Sequence, residues 1–280
     1  MASGTSLPPL RSIPIGRPLQ WLARGWRDLW RCGWVSAAHG LALALFGGVL
    51  LALARDRFWL LAGAFSGFLV AAPVLATSLY ALSRALERGE PADARLVLET
   101  WLSWRRSDAQ AGGKDWRLVR FGLLLALAGT GWVLTSAALI TLLAPLPIRT
   151  PLDFVRHVVL AQDSHLFELW LALGGALAAP VFASSAVALP LLLDRRASLL
   201  QAVLTSWQAV LANPLPMALW AALIMLCCLL GFGTALLALV PLLPVLGHAS
   251  WHAYRDLVDA SALPERSSGA APAPTAKDGP

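Results

Sequence analysis

The stretch VSAAHGLALALFGGVLLALA, residues 35–54, contains no Lys, Arg, Asp or Glu. About 20 apolar residues are enough to cross the hydrocarbon core of a bilayer as a helix. Because no water reaches that core, each backbone N–H and C=O must be bonded within the segment, which favours a helix. Similar uncharged stretches recur along the chain. The sequence therefore predicts an all-α, polytopic membrane helix bundle.

The predicted membrane domain covers residues 17–258 and contains six transmembrane helices. The last two come from one apolar region, residues 215–246, which as a single helix would be about 48 Å long against a core of about 30 Å. Gly231 and Gly233 lie at its midpoint and favour a turn. One long, kinked helix, and five spans in all, is the alternative. The six predicted spans are residues 35–54, 58–82, 118–143, 166–193, 216–230 and 234–254.

The two ends of the chain differ from this domain in composition. Residues 259–280 include the polar, Pro- and Ala-rich run APAPTAKDGP, which buries too little apolar surface to order itself. The same reasoning applies to the N-terminal residues. Residues 1–16 and 259–280 are therefore predicted to be a disordered N-terminus and a disordered C-terminal tail.

Composition excludes a soluble protein. The chain is 58% hydrophobic and 14% charged, whereas an average soluble domain is roughly 25% charged. The net charge of +6 comes from basic residues that flank the spans, where membrane orientation and anionic lipid head groups explain them. We therefore expect membrane lipids as partners, together with other membrane proteins or a second copy, and no nucleic acid.

The basic residues also predict the orientation. With six spans, Arg55, Arg57, Arg149 and Arg156 are the only ones of 22 Lys and Arg residues that fall on one side. Cytoplasmic loops carry the excess of Lys and Arg. Both termini are therefore predicted to be cytoplasmic. Five spans would instead place Arg255, with the basic residues that follow it, on the outside.

The six spans form three predicted hairpins, each preceded by a cytoplasmic interfacial amphipathic helix. In the first such helix, apolar side chains share one face and arginines the other, which is typical of a helix lying at a membrane surface. Related patterns occur near residues 91–106 and 200–211. The first helix is marked by the apolar residues Leu19, Leu22, Trp26, Leu29 and Gly33 and by the basic residues Arg17, Arg24, Arg27 and Arg31.

Candidate chemistry is confined to histidines. His248 and His252 are four residues apart on one face of the last helix, a spacing that can bind one metal. His39 lies just inside the first span on the same predicted side, so a three-histidine site for haem or a transition metal is a hypothesis. The alternatives are an interfacial polar cap and a proton-linked role. No catalytic motif is present in the sequence, and neither enzymatic activity nor a cofactor is predicted.

Several motifs carry a family resemblance. They are GRPLQWLARGWRDLW, SLYALSRALERGE, LPLLLDRR, TSWQAVLANPLPM and LPVLGHASWHAYRDLV, which together cover about residues 11–258. On these motifs the chain resembles the bacterial predicted integral membrane proteins classed as a domain of unknown function (DUF2189-like), some of which carry a cytochrome c oxidase label. The resemblance implies a bacterial inner-membrane protein of about six spans. An oxidase core needs many histidines within spans, and this chain has five in all.

Three functions are compatible with these features. The first is a non-enzymatic inner-membrane protein that serves as an assembly or envelope factor through protein and lipid contacts. The second is a redox accessory that binds haem or a metal through the C-terminal histidines. The third is a transporter or pore for a hydrophobic solute, since the predicted spans carry hydroxyl side chains but no charge.

Overall fold

A computed structural model of the chain describes residues 7–54, 75–103, 107–108, 113–114, 117–148, 150–161 and 165–266. The described residues are almost entirely helical, which confirms the all-α prediction. A two-residue antiparallel pair is formed by β1 (Ser107–Asp108) and β2 (Gly113–Lys114). The residues Val155–Val159 form a single π-helical turn. The helices are α1 (Arg17–Cys32), α2 (Trp34–Ala54), α3 (described over 75–88), α4 (Ala94–Ser103), α5 (Arg117–Leu143), α6 (Pro151–Phe154), α7 (Leu166–Ser185), α8 (Ala188–Asp194), α9 (Leu199–Ala212), α10 (Pro214–Gly233) and α11 (Leu239–Leu257).

Four helical segments in the described part of the chain are long and apolar enough to cross a membrane. They correspond to the first, third, fourth and fifth predicted spans. The second predicted span, 58–82, lies mainly outside the described residues, and only its last residues are seen in α3. The six-span, three-hairpin arrangement is therefore not confirmed. The four segments are Trp34–Leu53, Val119–Leu143, Leu166–Asp194 and Pro214–Gly233.

The apolar region 215–246 divides into two helices, as predicted. Between α10 and α11 the chain turns tightly, with Ala235 at φ 51° and Leu236 at φ 72°. The Leu236 N–H donates to the Gly231 carbonyl at 2.7 Å, and the Ala238 N–H donates to Thr234 Oγ1 at 3.0 Å. However, α11 is not among the four segments that can cross a membrane, because it becomes polar from His248 onward.

Helix α11 lies at the centre of the described fold, in contact with α1, α2, α8 and α10. Glycines allow the closest approaches. A Cβ atom on Gly25 of α1 would lie 2.5 Å from the Val245 carbonyl oxygen of α11, and one on Gly40 of α2 would overlap the Val240 carbonyl. Only glycine lets two backbones come this close. The last helix is thus packed against the first two.

Tryptophans contribute to the core of this packing. Trp21 of α1 and Trp220 of α10 are buried and meet edge to face with ring centroids 5.6 Å apart. Trp251 of α11 is also buried, 5.4 Å from the ring of Tyr254. The contact of Trp21 with Trp220 therefore joins α1 to α10 inside the protein.

Both ends of the membrane domain are fixed by backbone pairing. The Arg11 N–H donates to the Leu257 carbonyl and the Asp259 N–H to the Pro9 carbonyl, each at 2.9 Å. Further along, the Arg266 N–H donates to the Asp194 carbonyl at 2.9 Å. The predicted disorder is therefore wrong for residues 7–16 and 259–266, because these segments pair with each other and with the end of α8.

Helices occur at all three positions predicted for amphipathic surface helices, namely α1, α4 and α9. Each of them exposes several large apolar side chains, although Trp21 and Leu29 of α1 and Val97 of α4 pack inward. On α9, for example, Leu200 and Leu211 are 68% and 69% exposed, whereas Ala202 and Ala209 are fully buried. The other exposed members are Leu19, Trp26 and Trp30 on α1, Leu98 and Leu102 on α4, and Leu204 and Trp207 on α9.

Candidate functional site: a buried polar chain between α1 and α11

The two α11 histidines predicted as ligands face α1 and α3. His248 is completely buried and His252 nearly so. They are one turn apart, so both rings leave α11 on the side where α1 packs. The structure thereby brings His248 and His252 to one buried polar cluster, as their spacing predicted.

Hydrogen bonds connect this cluster into a continuous chain, which we call the polar chain: Ser36, His248, Ser83, Asp28 and His252. The Ser36 hydroxyl lies 2.8 Å from His248 Nε2, and Ser83 Oγ lies 2.8 Å from His248 Nδ1. Ser83 Oγ also donates to Asp28 Oδ2 at 2.8 Å, and His252 Nε2 lies 2.9 Å from the same oxygen.

The donors and acceptors fit one consistent arrangement. Because Ser83 gives its single proton to Asp28, it must accept from the Nδ1–H of His248. His248 is then a neutral imidazole whose Nε2 accepts from the Ser36 hydroxyl. His252 donates Nε2–H to Asp28. No buried side-chain nitrogen or oxygen of these five residues lacks a hydrogen-bond partner, which is the condition for such a network to stabilise a fold.

Asp28 is ionised in this setting. Burial disfavours its charged form, but the hydrogen bonds from His252 and Ser83 outweigh burial and hold the pKa of Asp28 below its ordinary value. Burial also raises the pKa of the nearby Cys32 thiol to about 11. A thiol with that pKa is protonated at neutral pH and is a poor nucleophile. Cys32 therefore adds no reactive group.

The polar chain reaches the surface at one end only. His252 Nδ1 lies 3.8 Å from Glu87 Oε1, and Glu87 Oε2 lies 3.3 Å from Arg255 Nε. Glu87 and Arg255 are both partly exposed. At the other end, Ser36 is fully buried.

His39 is separate from this chain. Its Nδ1 lies 2.8 Å from the Val35 carbonyl of the same helix, and its Nε2 lies 2.8 Å from Ser78 Oγ of α3. The ring also meets Trp101 edge to face at 6.0 Å. No hydrogen bond between described residues links His39 to His248 or His252. The three histidines thus occupy neighbouring parts of one core, and His39 has its own partners.

These positions do not fit a haem or metal ligand set. Both ring nitrogens of His248 face serine hydroxyls, and Nε2 of His252 faces Asp28. A metal at His248 would have to displace a hydrogen bond, and Nδ1 of His252, the ring nitrogen that is not bonded to Asp28, lies 3.8 Å from Glu87. Across the part of the chain that the structure describes, no three His, Cys, Asp or Glu side chains are placed to hold a metal ion.

A second carboxylate also joins α1 and α11, but this one belongs to α11 and its partners belong to α1. Asp256 of α11 accepts from Arg17 Nε at 2.6 Å and from Trp21 Nε1 at 2.8 Å, with Arg24 at 3.3 Å. Burial opposes the charge, but the hydrogen bonds from Arg17 and Trp21 hold the pKa of Asp256 below its ordinary value. Helix α1 therefore contributes Asp28, which bonds to His252 of α11. Helix α11 contributes Asp256, which bonds to Arg17 and Trp21 of α1.

A third carboxylate joins the ends of α8 and α11. Asp194 is almost fully buried and accepts from the Tyr254 hydroxyl at 2.8 Å and from Arg195 Nε at 2.9 Å. Arg84 of α3 lies 3.8 Å from its other oxygen. Side chains from three separate parts of the sequence thus meet at Asp194.

Sequence patterns pointed to the histidines but missed the carboxylate that they share. Asp28 is the one acidic residue in RPLQWLARGWRDLWRC. It belongs to the inward spacing Trp21–Gly25–Asp28–Cys32, at intervals of four, three and four residues. An acidic residue on that inward face was the feature from which a buried polar site could have been predicted. No comparable feature of the sequence pointed to Ser83.

These features define a polytopic helical membrane protein whose buried polar groups bond mainly to one another. Residues 60–194 match the family model described as "Predicted integral membrane protein (DUF2189)", which confirms the resemblance expected from the sequence. One of the motifs that suggested it, SLYALSRALERGE, lies inside the matched range, and the motif LPLLLDRR begins inside it. No curated protein and no solved structure matches the chain.

Proposed function

We propose that the protein is a non-enzymatic assembly or envelope factor that acts through contacts with lipids and with other membrane proteins. The observation that carries this proposal is the outward orientation of large apolar side chains on α1, α4 and α9. A helix of 10 to 16 residues is too short to cross a core of about 30 Å. Such helices lie along a membrane surface, where their apolar faces meet lipid or a partner helix.

The polar chain supports a structural role for the histidines. All of its members are bonded within the fold, and no step of a reaction needs them. We therefore propose that the protein works without haem or a metal. A purified preparation is expected to be colourless and to contain no stoichiometric metal. A visible Soret band that disappears in His252→Ala would instead establish the redox alternative.

The span hydroxyls bear on the transporter alternative. Thr135 Oγ1 donates to the Gly131 carbonyl and Ser185 Oγ to the Val181 carbonyl, each at 2.8 Å within its own helix. Hydroxyls that bond their own helix are the usual case in membrane helices. They give no specific support to a solute pathway.

We further propose the bacterial inner membrane as the location, with both termini in the cytoplasm and six spans. Support comes from the pairing of Leu10 with Val258. A chain whose ends meet on one side crosses the membrane an even number of times between them. A reporter fused after Pro280 should be active only in the cytoplasm, and one inserted after Ala161 only outside. A periplasmic signal from the Pro280 fusion would contradict this orientation.

Site-specific crosslinking tests the function itself. A photoreactive side chain at Leu204 on the outward face of α9 should give a defined intermolecular product in native membranes, identified by mass spectrometry. The matched control is Ala202, which is fully buried on the same helix and should give only intramolecular products. If Leu204 captures neither a protein nor lipid above the level of Ala202, the proposed function is wrong.

A further inference from the structure

Helix α1 presents three distinct faces. The inward face packs on α11 through Trp21, Gly25 and Asp28. The second face is apolar and exposed and includes Trp26 and Trp30, whose rings are 6.1 Å apart. The third face is basic. A helix that only packed on the protein would need no exposed tryptophans, so the second and third faces need a partner of their own.

The arginines of the basic face divide into two pairs. Arg17 and Arg24 form ion pairs with Asp256. Arg27 and Arg31 are exposed and one turn apart, and within the described ranges no carboxylate lies within ion-pair distance of either. Two like charges at this spacing repel each other. The pair therefore gains from any anion that binds between them.

The surroundings of this pair indicate where that anion lies. Along the sequence, Arg27, Trp30, Arg31 and Trp34 alternate at intervals of three, one and three residues. Trp34 begins α2, one of the four segments able to cross a membrane, and is 72% exposed. Tryptophan is favoured at head-group level. The two arginines beside it are thus placed at the depth of lipid phosphates.

We propose that Arg27 and Arg31, flanked by Trp30 and Trp34, form a binding site for the head group of an anionic phospholipid. The proposal rests on the proposed function, since it names the lipid class that one surface helix recognises. Charge complementarity selects this occupant over a zwitterionic lipid, whose own cation would meet the arginines. An apolar peptide would cover the tryptophans but leave both charges without a partner.

Competition between two lipids tests the site. The full chain in detergent is incubated with equal amounts of phosphatidylglycerol and phosphatidylcholine, and bound lipids are counted by native mass spectrometry. Wild type should retain phosphatidylglycerol preferentially. Arg27→Gln/Arg31→Gln should reduce the preference by about fivefold for each arginine, the effect of one basic residue near an anionic surface. Arg27→Lys/Arg31→Lys should keep most of it.

The matched control is Arg95→Gln on α4. Arg95 is also exposed on a surface helix, but it is paired with Glu99 at 2.9 Å, so its loss should leave the lipid preference unchanged. If Arg27→Gln/Arg31→Gln remains folded by gel filtration and binds phosphatidylglycerol like wild type, the site is overturned. It is also overturned if a photoreactive side chain at Trp30 captures protein and no lipid in native membranes. Either result leaves the crosslinking at Leu204 of α9 unaffected, so the proposed function is tested separately.

Discussion

Helices α1 and α9 are both short surface helices with outward leucines and tryptophan, yet they are attached to the protein by different chemistry. Helix α1 carries arginines and is fixed by two carboxylates, the buried Asp28 and the partly buried Asp256. Helix α9, LLQAVLTSWQAVLA, has no charged residue and packs through alanines and hydroxyls. An apolar exterior is therefore common to both, whereas the inward contacts decide how each helix responds to mutation and pH.

Removal of the α1 carboxylate should have the largest effect. Asp28→Ala leaves His252 and Ser83 buried without their acceptor, and each buried donor left without a partner costs about 1–3 kcal/mol. The free energy of unfolding in mixed micelles measures this change. The control is Asp259→Ala, an exposed carboxylate bound to Arg11. Equal stability of the two variants would show that the polar chain does not fix α1.

The close approach of α1 to α11 should be nearly as sensitive. In Gly25→Leu the new Cβ would meet the Val245 carbonyl at 2.5 Å, and overpacking of this kind costs about 3 kcal/mol. Thermal unfolding in detergent is the measurement. Ala23→Leu, at an exposed position of α1, should have little effect. An unchanged melting temperature in Gly25→Leu would contradict the packing described for these two helices.

On α9, the loss of one buried hydrogen bond should lower the free energy of unfolding by less than either substitution on α1. Ser206 Oγ accepts from the Val187 N–H at 3.1 Å, where the chain turns between α7 and α8. Ser206→Ala leaves that buried N–H without a partner, at about 2 kcal/mol. Unfolding in mixed micelles again provides the value. Thr205→Val serves as control, because Thr205 bonds its own helix through the Gln201 carbonyl and its loss should cost less.

The smallest effect, and the one that separates the two helices most clearly, concerns pH. The pKa values of Asp28 and Asp256 are lowered in the folded protein. Their contribution to stability is therefore present above the unfolded pKa of about 4 and is lost as the pH falls through the lower folded values. Hydrogen exchange should show α1 opening below about pH 4 before α9 does. Simultaneous opening of both helices would contradict the assignment.

The sequence predicted the structure well wherever the requirement for apolar residues in lipid determines it. Uncharged stretches predicted the four described segments that are long and apolar enough to cross a membrane, and Gly231 with Gly233 predicted the division of the last apolar region. It was a poor guide to what α11 contacts. The histidine spacing predicted that His248 and His252 face the same way, but Asp28 lies 224 positions from His252 in the sequence. Helical periodicity within one segment cannot select a partner at that distance.

The same limit explains the two ends of the chain. Residues 7–16 and 259–266 have the composition of unstructured segments, because their order depends on backbone pairing and not on apolar burial. Tryptophan is likewise favoured at the level of lipid head groups, but Trp21 and Trp251 are buried in the core of the described fold. In each case a distant segment supplies the deciding contact.

The pairing of Leu10 with Val258 has a consequence for biogenesis. Helix α1 precedes α11 in the sequence and therefore leaves the ribosome before the helix that receives it. Until α11 has been synthesised, Asp28 cannot bond to His252, and α1 lies undocked at the membrane surface. Docking of α1 is therefore a late, post-insertion event, and nascent chains arrested before α11 should remain open to protease at their N-terminal helix.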